Sequence, residues 1–283
     1  GKTVLLNRIT EFAVAEGYEP MELEAPEDRR LSEMLVPKLR ALLVRLSRQE
    51  RAKDLAKQAL GVLRAFAGAF KVKVGDIEFG GAKETGTADS GNIESDLPDL
   101  MLTVARTAKE AGTAVALLID EVQYLSQADL SALIVSVHKM TQKALPFILF
   151  GAGLPQLAAL AGEAKSYAER LFDYPGVGPL SPDAAKSAIR EPVRRAGAQI
   201  EEDALDVIVR KTQGYPYFLQ EWGKYAWNTT VKSPIKADDA QRATTEALAH
   251  LDSSFFKVRF DRLTPREKEY LRAMAEIGPG PHR

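Results

Sequence analysis

TAVALLIDEVQYL, residues 113–125, carries an unbroken apolar run over 115–119 that stops abruptly at two acids, Asp120 and Glu121. Apolar residues without alternation are the pattern of a strand buried on both faces, as in a parallel sheet covered by helices. The two acids then stand where the strand leaves the sheet. In open α/β sheets ligands bind in the crevice beyond the carboxyl ends of the strands. Taken alone, the pair reads equally well as the solvated end of a core strand.

The first three residues break that tie. Gly1-Lys2-Thr3 lead straight into VLLNRITEFAVAEG, where Val4, Leu5, Ile9, Phe12 and Ala13 recur at helical spacing. Gly-Lys-Thr at a helix start is the closing part of a phosphate-binding loop: helix N-terminal amides and the lysine ammonium meet phosphate, and the threonine hydroxyl can ligate Mg²⁺. An isolated tripeptide of this kind is ordinarily chance. Together with a strand ending in Asp-Glu, it supplies the cation, hydroxyl and carboxylate that phosphate and metal require at one rim of a sheet.

Gly1-Lys2-Thr3, LLIDE (117–121), PFILFGAGLPQL (146–157), SYAERLF (166–172) and GYPYFLQEW (214–222) resemble the AAA+ ATPases. The closest type is the bacterial and archaeal group similar to origin-recognition initiators and to STAND signalling ATPases. The resemblance spans nearly the whole chain but begins inside the Walker A loop, with the glycine-rich half and its feeding strand expected before residue 1. It implies an α/β fold, a P-loop parallel sheet flanked by helices. The core would cover 1–180, lacking its first strand and carrying an insertion near 50–96. An all-helical lid would follow over 181–250, and the start of a truncated winged-helix domain over 251–283.

The same resemblance implies ATP and Mg²⁺. Gly1, Lys2 and Thr3 would hold the phosphates, Thr3 and Asp120 the ion, and Glu121, the second acid of the Walker B pair, would polarise the attacking water. Arg170 would act as a sensor or as a finger reaching a neighbour's nucleotide; a surface ion pair with Glu169 or Asp173 is the equal alternative. Tyr215 and Pro216, in the Gly-x-Pro turn, would pack against the adenine, although such a turn between helices is otherwise an ordinary helix break.

Two departures from the family pattern bear on rate. The strand over 146–150 runs into Phe150-Gly151-Ala152-Gly153, where relatives place a polar residue that senses the γ-phosphate. The helix after Pro216 presents Gln220, Glu221 and Lys224 where an arginine is expected. Slow, switch-like hydrolysis follows as the leading expectation. A nucleotide-gated DNA-binding or scaffolding module with negligible hydrolysis stands beside it. A P-loop GTPase is disfavoured, since no Asn-Lys-x-Asp run is present.

The chain of 283 residues is 45% apolar, enough for a buried core and more than one domain. With 38 basic against 39 acidic residues the net charge is -1, which argues against a uniformly basic nucleic-acid surface and leaves a local patch open. DNA contact is expected only through the C-terminal part, and protein partners or self-association stay open. Cysteine is absent, which excludes disulfides and thiolate zinc and fits a reducing cytosol. His138, His250 and His282 are scattered and suggest no metal cluster. No apolar run reaches the length of a membrane span and the start resembles no signal peptide, so a soluble, cytoplasmic chain is expected.

The remaining segments read as follows. A short strand is expected over 18–25, then an amphipathic helix with Leu31, Met34, Leu35, Leu39, Leu42, Leu43 and Leu46 in its stripe and Pro37 placed to kink or restart it. A second helix covers 49–70, a hairpin 71–79 and a polar loop 80–95. Helices follow over 98–111 and 130–140. Beyond the cap at Ser181 and Pro182, helices are expected over 183–196, 202–211, 217–227 and 237–250. Thr264-Pro265-Arg266-Glu267 is a capping box that opens one more.

Overall fold

β2 (Ala114–Asp120) lies between β1 (Tyr18–Glu24) and β3 (Phe147–Gly151) in a parallel sheet of order β1-β2-β3. The computed structural model describes residues 1–72 and 85–278. The expected hairpin over 71–79 and the first part of the expected loop over 80–95 fall largely outside the described residues. Pairing runs from Tyr18 opposite Ala114 to Glu24 opposite Asp120, and from Val115 opposite Phe147 to Ile119 opposite Gly151. Every residue of β2 from Val115 onward is buried.

The two-residue period of a strand sorts these side chains. Ala116 and Leu118 meet Leu6 and Ala13 of α1 (Lys2–Ala15) on one face. Val115, Leu117 and Ile119 join the main core on the other, which is built by α2 (Leu31–Leu46), α3 (Lys53–Ala69), α4 (Ile93–Glu110) and α5 (Gln127–Gln142). Helices on both faces account for a strand with no polar alternation.

Several elements differ from expectation for local reasons. α1 buries Leu6 and Ala13, while Val4, Leu5 and Phe12 point outward, because its apolar residues span more of its circumference than the sheet covers. α2 runs through Pro37 as a single helix. Pro37 and Glu33, whose carbonyl loses its i+4 donor, both face solvent, so water can satisfy the broken bond while the leucine stripe stays packed. α3 begins at Lys53 rather than 49. α4 begins at Ile93, five residues before Pro98, because the Asn92 side chain accepts the Glu94 amide and caps the first turn. α5 starts behind the Ser126 cap. After β3 come α6 (Leu157–Ala164) and the four-residue α7 (Ala168–Leu171).

The chain divides into two units, Gly1–Val177 and Gly178–Arg283. The second unit contains α8 (Pro182–Arg195), α9 (Glu202–Thr212), α10 (Pro216–Thr229) and α11 (Ala237–His250). They share a core of Ile189, Leu205, Ile208, Leu219, Trp222 and Ala243, and the Trp222 indole donates to Thr244 Oγ1 at 2.9 Å. Gly214, at φ 74°, closes α9 onto α10; a Cβ there would sit 2.4 Å from the Leu180 carbonyl oxygen, so only glycine fits. A π-helix over Leu251–Phe256 leads to α12 (Lys257–Asp261) and α13 (Pro265–Ile277). Thr264 and Glu267 cap α13 reciprocally, as the capping box predicts, and neither α12 nor α13 has a buried residue. Among the described residues no helix is long and apolar enough to cross a membrane.

Candidate functional site

The N-terminus of α1 and the carboxyl end of β2 meet at one rim of the sheet. Thr3 Oγ1 donates to Asp120 Oδ2 at 2.6 Å, joining residues that lie 117 positions apart. Asp120 is buried and its carboxylate is held from a second direction, since Oδ1 accepts the Glu121 amide at 2.9 Å. A buried carboxylate needs such partners, and both of its oxygens have one. Its own carbonyl accepts the Ala25 amide at 3.0 Å, which pins the end of β2 to the turn after β1.

Lys2 Nζ stands 3.7 Å from Glu121 Oε2, with both side chains about one-third exposed. At that separation and exposure the pair contributes no more than about 1 kcal/mol, so an incoming anion can draw Lys2 away. No side chain caps α1: Gly1 is its N-cap, and its first internal bond runs from the Leu5 amide to the Gly1 carbonyl at 3.2 Å. The amides of Lys2, Thr3 and Val4 therefore keep the anion-binding character of a helix start.

Glu121 occupies the left-handed region, φ 55° and ψ 40°, a conformation that costs a residue with a side chain about 1 kcal/mol or more. This turn swings its carboxylate toward Lys2 instead of continuing the strand. Gln123 holds it there. Gln123 Nε2 donates to Glu121 Oε2 at 2.5 Å, and Gln123 Oε1 accepts the Leu154 amide at 3.2 Å. Backbone bonds reinforce the link between strand ends: Ala152 N to the Ile119 carbonyl at 2.8 Å, and Val122 N to the Ala152 carbonyl at 2.9 Å. Gln123 escaped the sequence reading. The one cue was an amide side chain two residues beyond an acid at a strand end.

Of the residues singled out from sequence, Gly1, Lys2, Thr3, Asp120 and Glu121 are thus brought together. Arg170 lies exposed on α7 and, among the described residues, pairs with none of these, nor with Glu169 or Asp173. Tyr215 and Pro216 belong to the second unit, where the Tyr215 ring is half exposed and meets Phe218 edge-on at 6.3 Å.

A hydroxyl and a carboxylate form a hard-oxygen donor set, which suits Mg²⁺ better than a softer ion. Among the described residues no group of three or more His, Asp or Glu side chains could hold a metal unaided. An ion bound between Thr3 and Asp120 would complete its ligand shell with phosphate oxygens and water, the usual habit of Mg²⁺.

A family model described as an AAA domain matches residues 1–157, more than half of the chain. A second model, a domain of unknown function, matches residues 253–283. No curated protein matches. Similar solved structures include the RuvB Holliday junction branch migration motor of Thermotoga maritima, at 17% identity and a TM-score of 0.40, covering 51% of this chain and 57% of that one. Two point-mutant forms of the same RuvB match at 18% and 16% identity with a TM-score of 0.40, covering 51% of this chain and 57% and 58% of theirs. The match spans a little over half the length of each of those structures.

Proposed function

The chain belongs to the AAA domain family, and from that premise we propose that it is an ATP-binding, slowly hydrolysing regulatory ATPase whose phosphate site is the rim formed by Lys2, Thr3, Asp120 and Glu121. The observation that carries the reading is the 2.6 Å bond between Thr3 and Asp120, which brings a helix-start hydroxyl and a strand-end carboxylate to one point.

In this reading the α1 amides and Lys2 take the β- and γ-phosphates. Thr3 and Asp120 are the residues that would hold Mg²⁺, which when bound neutralises charge on the phosphate oxygens. Glu121 accepts the proton of the attacking water as general base. Because Lys2 lies against Glu121 in this structure, phosphate binding and release of the base are coupled: the lysine turns to the anion and the carboxylate becomes free for water. Assignment of Tyr215 and Pro216 to the adenine, and of Arg170 to a sensor or finger, rests on the motif resemblance alone. So do the origin-recognition or STAND type, the start of the phosphate loop within Walker A, the lid and winged-helix roles of the second unit, and DNA as partner.

A second reading, a nucleotide-gated scaffold or DNA-binding module that scarcely turns over, is favoured by one feature. β3 ends on Phe150 and Gly151, with no polar side chain to meet a γ-phosphate. The two separate on Glu121→Gln in the protein. ATP affinity should hold within about 3-fold while single-turnover hydrolysis falls about 10²- to 10⁴-fold, the contribution of a positioned base. Equal hydrolysis by the variant and the wild type sinks the general-base assignment. Binding without measurable turnover in the wild type selects the second reading.

A further inference from the structure

We propose that Gln123 is a positioning residue that holds the Glu121 carboxylate and ties it to the backbone at the end of β3. The inference rests on the ATPase reading above and deepens it.

Glu121 Oε2 accepts from Gln123 Nε2 and forms an ion pair with Lys2 Nζ 3.7 Å away. Once Lys2 turns to phosphate, the Gln123 amide is the one of these two that remains to aim the carboxylate. Its orientation is not free. Oε1 accepts from the Leu154 N–H, so Nε2 must face the carboxylate. The flipped amide would set oxygen against carboxylate and N–H against N–H, two repulsions in place of two bonds. The loop after β3 is shaped around this side chain: a Cβ on Gly153 would lie 2.9 Å from Gln123 Oε1 and 3.1 Å from Leu157 Cδ2. Movement of the Leu154 amide is therefore felt at the Glu121 carboxylate through this side chain. β3 has no polar side chain at its end, and a main-chain donor relayed by Gln123 supplies the connection instead.

The test compares wild type, Glu121→Gln, Gln123→Ala, Gln123→Glu and Gly153→Ala, measuring Mg-ATP affinity and single-turnover rate. Gln123→Ala should lower the rate about 10- to 100-fold, part of what a positioned base supplies, with affinity unchanged within about 2-fold. Gln123→Glu keeps the length of the side chain but has no N–H to donate to the Glu121 carboxylate. That variant should lose the rate at least as fully as Gln123→Ala with affinity again within about 2-fold, a split between rate and affinity that a merely structural role would not produce. Gly153→Ala should reproduce the rate loss of Gln123→Ala in weaker form by displacing the amide.

If Glu121→Gln loses turnover but Gln123→Ala matches wild type, the positioning role fails and the ATPase reading stands. A Gln123→Glu rate equal to wild type also overturns the positioning role. If the wild type binds no Mg-ATP, the site reading fails and this inference falls with it.

Discussion

β2, AVALLID, and β3, FILFG, run side by side in one parallel register, and both are apolar up to their carboxyl ends, where β2 closes on Asp120 and β3 on Gly151. β2 is buried from Val115 to Asp120, whereas every residue of β3 keeps some exposure and Ile148 is 39% exposed. Composition does not separate them; neighbours do. β2 has a strand on each side and helices on both faces, while β3 pairs only with β2 among the described residues. Their contributions at the rim differ in the same sense. The buried strand delivers side chains, Asp120 and Glu121, from a frame rigid enough to hold a strained turn. The exposed one delivers main chain, the Leu154 amide, with glycines where a side chain would intrude.

The largest expected effect asks whether the burial contrast is energetic. Leu117→Ala, in the middle of β2 with no exposure, should cost about 2–5 kcal/mol of unfolding free energy through lost transfer and a residual cavity. Ile148→Ala removes a side chain that already meets water and should cost about 1 kcal/mol or less, in line with surface changes. Urea midpoints at constant slope measure both. Equal losses would mean that β3 is as well covered as β2, and the comparison would fail.

The next effect sharpens the contrast at the rim. Asp120→Ala removes the carboxylate that receives Thr3, and Mg-ATP affinity should fall about 10- to 100-fold, the range for losing a group that supports a metal's ligand shell. Gly151→Ala, opposite Ile119 on β3, brings a Cβ to 3.1 Å from Val122 Cγ2, a contact that a small side-chain shift relieves. Its affinity should stay within about 3-fold of wild type, roughly 0.6 kcal/mol at most. Titration calorimetry on both variants decides whether side chains from β2 or space beside β3 governs binding.

How much of this was legible beforehand follows the same divide. β2 and its acidic end were readable because burial on both faces leaves a periodicity signal in a few consecutive residues. The meeting of Thr3 with Asp120 was readable because each end carries a residue type that the chemistry restricts. α1 was read as a helix, but which side it buries was not, since Val4, Leu5, Leu6, Ile9, Phe12 and Ala13 are all apolar and only the sheet selects among them. The start of α4 at Ile93 was hidden by Pro98, which reads as a first-turn residue but sits one turn further in, behind the Asn92 cap. Gln123 was least accessible of all. Its role depends on a positive φ at Glu121 and on an amide 31 positions away, neither of which leaves a local pattern.

The smallest expected effect concerns the helices behind the two strands. Glu94, at the start of α4, accepts from Ser131 on α5 and lies 3.5 Å from Lys165 just after α6. The Ser131 hydroxyl foremost holds its carboxyl below the usual carboxylate range; desolvation, the next largest effect, opposes it, and the Lys165 charge adds a smaller lowering. A carboxyl depressed in the folded state binds fewer protons there than in the unfolded chain, so its stabilisation is complete above the unfolded value of about 4.3 and disappears as pH falls through the folded value. Glu94→Gln removes that dependence. Wild type and variant should differ most in urea midpoint near neutrality and converge on the acid side of about pH 4. Salt separates the two partners: raising ionic strength should screen the Lys165 component at this exposed site and leave the Ser131 bond in place. A gap that vanishes entirely in high salt would assign the tie to charge alone; one that ignores pH would mean that Glu94 does not brace the helices covering β2 against the segment beyond β3.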